Sequence, residues 1–104
     1  MNKHQAIQAA KDLSTLLQTH NIPLTGLYLF GSYAKGTNHK WSDIDIGVIS
    51  PYFGKDRMQE RKNLMKHSEQ ITVFIEPHPF SPSDFDDRYN LLAQEVKKTG
   101  IKIV

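Results

Sequence analysis

The chain has no cysteine, and this absence excludes disulfide bonds, thiolate metal ligands and cysteine nucleophiles. No apolar run approaches the roughly 20 residues that a membrane-spanning helix requires. The first residues, MNKHQAIQAAKDL, contain no apolar core of the kind found in signal peptides. These absences favour a cytoplasmic protein that does not insert into a membrane.

The net charge is also small, because 13 basic and 11 acidic residues leave a formal value of only +2. Proteins that bind nucleic-acid backbones usually present a clearly basic face. Aromatic and basic residues are not interleaved along the chain either, as they are in many single-strand binders. Direct nucleic-acid binding is therefore disfavoured.

Helical and strand patterns alternate along the 104 residues, a length that fits one domain, residues 1–104, with a single core. This alternation predicts an α+β (α/β-type) domain, in which helices cover at least one face of a small mixed β-sheet. The predicted elements are a helix over 3–20, a strand over 27–30, a tight turn over 32–37, a strand over 43–50, a helix over 56–67, a strand over 71–75, a helix over 82–99 and a short strand over 101–104.

The last predicted helix has the clearest end signals. Ser81 is placed to cap it, and Pro82 suits its first position. Gly100 is placed as a left-handed terminator. Its predicted buried face consists of Phe85, Tyr89, Leu92 and Val96.

Two aspartates lie one residue apart on an apolar strand, in the run DIDIGVIS. Residues two apart on a strand point to the same face, so Asp43, Asp45 and Gly47 share one face. Ionised carboxylates this close repel each other, and a divalent cation such as Mg²⁺ offsets that repulsion. Gly47, which has no side chain, leaves room for a ligand near the backbone. The alternative is a solvated strand face that happens to carry two acids.

Gly31-Ser32 follows the first strand and precedes a turn or helix start. Backbone N–H groups at such a position can hold phosphate oxygens, and the serine hydroxyl adds a donor. Lys35 and Lys40 place positive charge nearby. The alternative is an ordinary turn, and the phosphate hypothesis depends on the aspartates that follow.

A site for two cations needs a further acid, and Glu76 stands at the end of the strand ITVFI. If that strand neighbours DIDIGVIS, Glu76 faces the same site as the two aspartates. The alternative is a glutamate that merely ends a strand before a proline turn.

These motifs together resemble the polymerase-β-type nucleotidyltransferase superfamily, in its minimal form. The resemblance rests on Gly31-Ser32, ten intervening residues, and Asp43-Ile44-Asp45, within the run GSYAKGTNHKWSDIDIGV. It implies a polymerase-β-like palm fold and transfer of a nucleoside monophosphate, AMP from ATP, to an acceptor hydroxyl with release of pyrophosphate.

The resemblance also implies roles for particular residues. Gly31 and Ser32, with Lys35 added for its charge, would bind the nucleotide phosphates. Asp43 and Asp45 would hold one or two Mg²⁺ ions that contact the nucleotide. The third catalytic and metal-binding acid falls on Glu76, a glutamate where many members of the superfamily have aspartate.

A partner is implied as well. Similar minimal nucleotidyltransferases pair with a helical protein of the HEPN type or a related four-helix protein, and in some pairs they act as the antitoxin by attaching AMP to an RNase partner. Two alternatives remain open: a non-catalytic antitoxin that masks its partner, and an antibiotic-type, small-molecule nucleotidyltransferase that needs a second subunit.

Several other residues are given structural interpretations. No two histidines have metal-ligand spacing, and for His78, the histidine nearest the site, a structural role is favoured. Trp41 is interpreted as a packing residue or a partner contact. The basic face of the helix over 56–67, with Arg57 and Arg61, is interpreted as solvated.

Overall fold

One mixed sheet with four strands organises the computed structural model, which describes residues 1–104. The strands are β1 (Gly26–Phe30), β2 (Ile44–Ile49), β3 (Ile75–Phe80) and β4 (Ile101–Lys102), in the spatial order β3-β2-β1-β4. Strand β1 runs antiparallel to β2 and β4, whereas β2 and β3 are parallel. The helices are α1 (Lys3–Thr19), α2 (Ser32–Lys35), α3 (Arg57–Glu69), α4 (Pro82–Asp86) and α5 (Leu91–Thr99). The predicted α+β class with a small mixed sheet is confirmed.

Apolar residues lie on both faces of the sheet, because strand side chains alternate between them. On one face, alternate residues of β2 pack with α1 and α3 into a core of 13 buried residues. On the other face, α5 covers a smaller cluster made of Phe30, Ile49, Phe80, Ala93 and Val96. Helices therefore cover both faces, and none of the five is long and apolar enough to cross a membrane.

The first and third helices follow their sequence signals. In α1, Asn2 and Gln5 form a reciprocal capping box. In α3, the side chain of Asp56 accepts a hydrogen bond from Gln59 N–H at 3.2 Å. Helix α3 also forms the crossover that a parallel β2–β3 pair requires.

The predicted strand over 71–75 is wrong, because β3 begins at Ile75 and continues through both prolines. The carbonyl oxygens of Phe74 and Phe80 accept hydrogen bonds from the N–H groups of Ile44 and Ser50, at the two ends of β2. The even-numbered residues of β3 therefore direct their backbone groups toward β2. Pro77 and Pro79 alternate with them, and each directs its nitrogen, which has no hydrogen, to the open edge. An edge strand tolerates proline for this reason.

The single helix predicted over 82–99 is also wrong, because Asp87 adopts an extended conformation that ends α4. Asn90 then caps α5 by accepting a hydrogen bond from Ala93 N–H. As a result Tyr89 lies between the two helices and is 76% exposed. Leu92 is also exposed, and the buried face of α5 consists of Ala93 and Val96.

Two glycines play different roles from those predicted. Gly100 has an ordinary extended backbone (φ −77°, ψ 156°) and is not a left-handed terminator. Gly47 does not leave room for a ligand, because Phe80, Val96 and Phe30 occupy the space beside it, 3.4–3.8 Å from where a Cβ would lie.

Candidate functional site

Asp45 and Glu76 lie side by side because β2 and β3 are parallel and pair in register at these two residues. The same register places His78 opposite Gly47, on the same face as Glu76. One ligand atom from each of Asp45, Glu76 and His78 lies within 4.8 Å of the other two. We call these three residues the β2–β3 cluster. The structure thus brings Glu76 beside Asp45, as the sequence predicts.

Asp43 precedes β2 and is exposed, and it is not a member of the β2–β3 cluster. The loop before it is ordered by Ser42, whose hydroxyl accepts a hydrogen bond from His39 N–H at 2.9 Å. Ile44 N–H then donates to the carbonyl of Phe74, which aligns the start of β2 with β3. Asp43 therefore leads directly into the strand that carries Asp45, and its role as a ligand stays a prediction.

Gly31 packs directly on the carboxylate of Asp45. Its backbone has φ +73° and ψ −149°, and a Cβ at this position would collide with Asp45 Oδ2. Helix α2 begins at the next residue, Ser32, and ends at Gly36 in a left-handed conformation (φ +76°). The Gly-Ser turn and the second aspartate are therefore adjacent in space.

The ammonium group of Lys35 contacts Glu95 of α5 at 2.6 Å, and no acid of the β2–β3 cluster. Both side chains of this pair are more than 40% exposed. Exposed ion pairs contribute little to stability, so Lys35 could exchange Glu95 for another anion at little cost.

Two arginines of α3 are solvated, as the sequence interpretation of this helix face has it, with side chains 62% and 49% exposed, and they also form ion pairs at or beside the site. Arg61 Nη2 donates to Glu76 Oε1 at 2.8 Å, and Arg57 Nη2 donates to Asp84 Oδ1 at 2.7 Å. They are four residues apart, so they lie on the same side of the helix. This spacing was the sequence signal that could have identified them.

Asp84 is the acid of this region whose pKa is shifted. Burial raises the pKa of its carboxyl, but hydrogen bonds from Ser81 and the charge of Arg57 outweigh that effect and hold the pKa below its ordinary value. Asp84 is thus a firmly ionised partner for Arg57. Together they join α3 to the start of α4.

His78 is the site residue that the sequence interpretation missed. Its Nε2 lies 3.2 Å from Asp45 Oδ1, and its side chain is only 17% exposed. Its ring packs edge-to-face with that of Phe30, with 5.1 Å between the ring centroids. The available signal was its position two residues after Glu76, which places both on one strand face. A cleft of about 230 Å³ opens beside it, lined by Arg57, Arg61, His78, Pro79, Phe80, Asn90 and Leu92.

The sequence matches the family described as a nucleotidyltransferase domain over residues 7–99. The chain therefore belongs to the nucleotidyltransferase domain family, and the predicted membership is confirmed. It is similar to the protein adenylyltransferase MntA of Shewanella oneidensis, with 43% identity over 51 residues. That alignment covers 48% of this chain but only 31% of the relative.

Solved structures agree with this assignment. The chain is similar to a toxin–antitoxin crystallised with AMP-PNP, with 27% identity, a TM-score of 0.59, and coverage of 90% of this chain and 72% of that one. It also shares its fold with a protein described as a nucleotidyltransferase from Sulfolobus solfataricus, with 18% identity, a TM-score of 0.65, and coverage of 96% and 80% respectively.

Proposed function

We propose that this protein is a cytoplasmic, magnesium-dependent nucleotidyltransferase that transfers AMP from ATP to an acceptor hydroxyl and releases pyrophosphate. The observation that carries the proposal is the pairing of Asp45 with Glu76 across parallel strands, beside the backbone of Gly31. A fold that needed only to pack would not bring two acids together with a glycine whose backbone conformation other residues rarely adopt.

The nucleotide would lie against the Gly-Ser turn. Gly31 and Ser32 would bind its terminal phosphates, and Lys35 would join them after it leaves Glu95. The similarity to a toxin–antitoxin crystallised with AMP-PNP, an ATP analogue, supports ATP as the substrate.

The carboxylates suit a hard divalent cation. Oxygens of Asp45 and Glu76 are within reach of each other, and Arg61 currently offsets the charge of Glu76 as a cation would. Asp43, Asp45 and Glu76 would hold the metal. A bound Mg²⁺ supplies charge stabilisation for the triphosphate during an in-line displacement.

The acceptor would be a hydroxyl on a helical partner protein of the HEPN type, with this chain as the antitoxin of a hetero-oligomeric pair. An apolar surface beside the site supports a partner: Trp41 is 71% exposed, and Phe74 is 45% exposed. Both line a cleft of about 250 Å³ next to the residues that lead into Asp43. This surface fits the partner-contact interpretation of Trp41 and not the packing one.

The test is transfer of α-labelled ATP in the presence of Mg²⁺, with a helical HEPN-type protein as the acceptor. We expect the wild type to label the partner. Asp45→Asn should reduce labelling at least about 100-fold, because several kcal/mol of charge stabilisation are lost with the metal ligand. Asp12→Asn, on the exposed side of α1, is the matched control and should label normally.

Two other results would overturn the proposed transfer. If neither wild type nor Asp45→Asn labels the partner but both bind it, the chain acts by masking, which needs no carboxylate pair. If label appears only on an added small molecule, such as an aminoglycoside, the acceptor is not the partner protein.

A further inference from the structure

The β2–β3 cluster contains a nitrogen atom as well as carboxylate oxygens. His78 follows Glu76 by two residues on β3, so strand geometry fixes its side chain on the face that Asp45 occupies. Its Nε2 points at Asp45 Oδ1, 3.2 Å away. An imidazole beside the carboxylates gives the site a different ligand chemistry from that of carboxylates alone.

The spacing fits adjacent ligands of a single cation. Metal–nitrogen and metal–oxygen bonds of roughly 2.0–2.2 Å place two neighbouring ligand atoms about 3 Å apart when the bonds meet at a right angle. The 3.2 Å between His78 Nε2 and Asp45 Oδ1 is close to that value. Binding would therefore need only a small movement of either side chain, together with transfer of the Nε2 proton, which the hydrogen bond to Asp45 uses, to Nδ1 or to solvent.

The surroundings of His78 hold its ring in place. The ring contacts Phe30 on its edge, and 17% of the side chain is exposed. An imidazole that is already ordered loses little conformational entropy when it binds a ligand.

His78 also faces less competition than Glu76 does. Arg61 already donates to Glu76 Oε1 at 2.8 Å, so a cation must share or displace that guanidinium. His78 hydrogen-bonds to Asp45 and packs on Phe30, and neither Arg57 nor Arg61, which line the same cleft, forms a hydrogen bond or ion pair with it. His78 therefore offers a ligand atom that no guanidinium occupies.

We propose that His78 is a ligand of the cation held by Asp45 and Glu76, and that it makes this position bind Mn²⁺ more tightly than Mg²⁺. The inference rests on the proposed function and refines its metal. Imidazole favours first-row transition metals, whereas Mg²⁺ is held through oxygen ligands and water. The carboxylates still admit Mg²⁺, but only a transition metal uses the nitrogen well.

The test is pulsed electron paramagnetic resonance of Mn²⁺ bound to the full chain with inorganic triphosphate, which contains no nitrogen. Wild type should show modulation from a directly coordinated ¹⁴N nucleus, and His78→Gln should lose it. Glutamine keeps an N–H donor for Asp45, so the variant separates coordination from simple hydrogen bonding. His4→Gln, on the exposed surface of α1, is the matched control.

Cation affinities give a second readout that does not depend on transfer. His78→Gln should weaken Mn²⁺ binding at least about tenfold. Mutating residues that merely hydrogen-bond to a metal ligand already lowers metal affinity by about 10-fold or more, and loss of a direct ligand should cost at least as much. Mg²⁺ binding should change far less. An equal loss for both cations would assign His78 a positioning role and overturn the proposal.

The remaining outcomes separate this inference from the proposed function. If wild type binds Mn²⁺ without ¹⁴N modulation and still transfers AMP, only the role of His78 is overturned. If wild type binds neither cation any better than Asp45→Asn does, the metal-dependent function fails, and this inference fails with it.

Discussion

At the scale of single residues, Gly31 carries two separate constraints. Its φ of +73° with ψ of −149° falls in a region that is essentially restricted to glycine. Independently, any side chain would collide with the carboxylate of Asp45. The first constraint concerns the backbone, whereas the second concerns the site.

Gly31→Ala should therefore lower the free energy of unfolding by roughly 1–3 kcal/mol and also displace Asp45, which weakens cation binding. Denaturant unfolding and Mn²⁺ titration measure the two effects. Gly36→Ala is the control, because Gly36 has φ +76° but open space around it. It should lower stability and leave cation affinity unchanged. Equal affinity losses in both variants would contradict the proposed contact with Asp45.

Much of the site could be predicted at this scale, and the exceptions have a physical reason. The spacing of Gly31-Ser32 and the two aspartates is local information that a sequence displays directly. The contacts of Glu76 with Arg61, and of Asp45 with His78, depend on how β3 registers with β2 and on how α3 crosses them. Such contacts between distant segments are set by packing, which no local pattern displays.

At the scale of elements, strand β2 contains Gly47, and the question is whether a ligand requires a glycine at this position. A Cβ added to Gly47 would lie 3.4–3.8 Å from side-chain atoms of Phe80, Val96 and Phe30, which is ordinary van der Waals contact. The backbone of Gly47 carries no conformational strain of the left-handed kind. A methyl group at this position should therefore fit.

Gly47→Ala should leave the free energy of unfolding unchanged or raise it by about 0.5–1 kcal/mol, since glycine weakens a strand interior. Cation and nucleotide affinities should also be retained. Gly100→Ala is the contrasting variant, because its Cβ would collide with the carbonyl of Val96. Denaturant unfolding compares the two. A loss of nucleotide binding in Gly47→Ala alone would restore the hypothesis of close ligand approach.

The two misplaced elements show where local signals were insufficient. Prolines stop a central strand, but β3 is an edge strand whose prolines face away from its neighbour. The end signals at Ser81 and Gly100 predict one helix, but Asn90 caps a second helix between them. Both errors arose because sheet order and competition between caps are decided by the assembled fold.

At the scale of the whole molecule, the packing of α1 against α3 brings two histidine rings together. His20 and His67 have ring centroids 4.6 Å apart, and Nδ1 of His67 is buried without a hydrogen-bond partner. Burial lowers the pKa of His67 below its ordinary value of 6.5, and the charge of His20 lowers it further. The folded protein therefore resists protonation of His67.

The unfolded chain binds this proton more readily, so stability should be fully present above pH 6.5 and should fall as pH drops toward the lowered pKa. His67→Gln cannot take up the proton and should lose less stability across that window. Thermal unfolding of both proteins at pH 7.5 and pH 5.5 measures the difference. Parallel curves for the two proteins would show that His67 does not contribute.

The helix that covers the site face has a consequence for the order of assembly. The apolar cluster next to the β2–β3 cluster, on the same face of the sheet, is completed by Ala93 and Val96 of α5, which is synthesised long after both aspartates. Domains generally form as units during synthesis at about 5–20 residues per second. The apolar packing beside the site therefore cannot be completed until α5 has been synthesised and docks, so a nascent chain acquires a fully packed site face only after α5 is available.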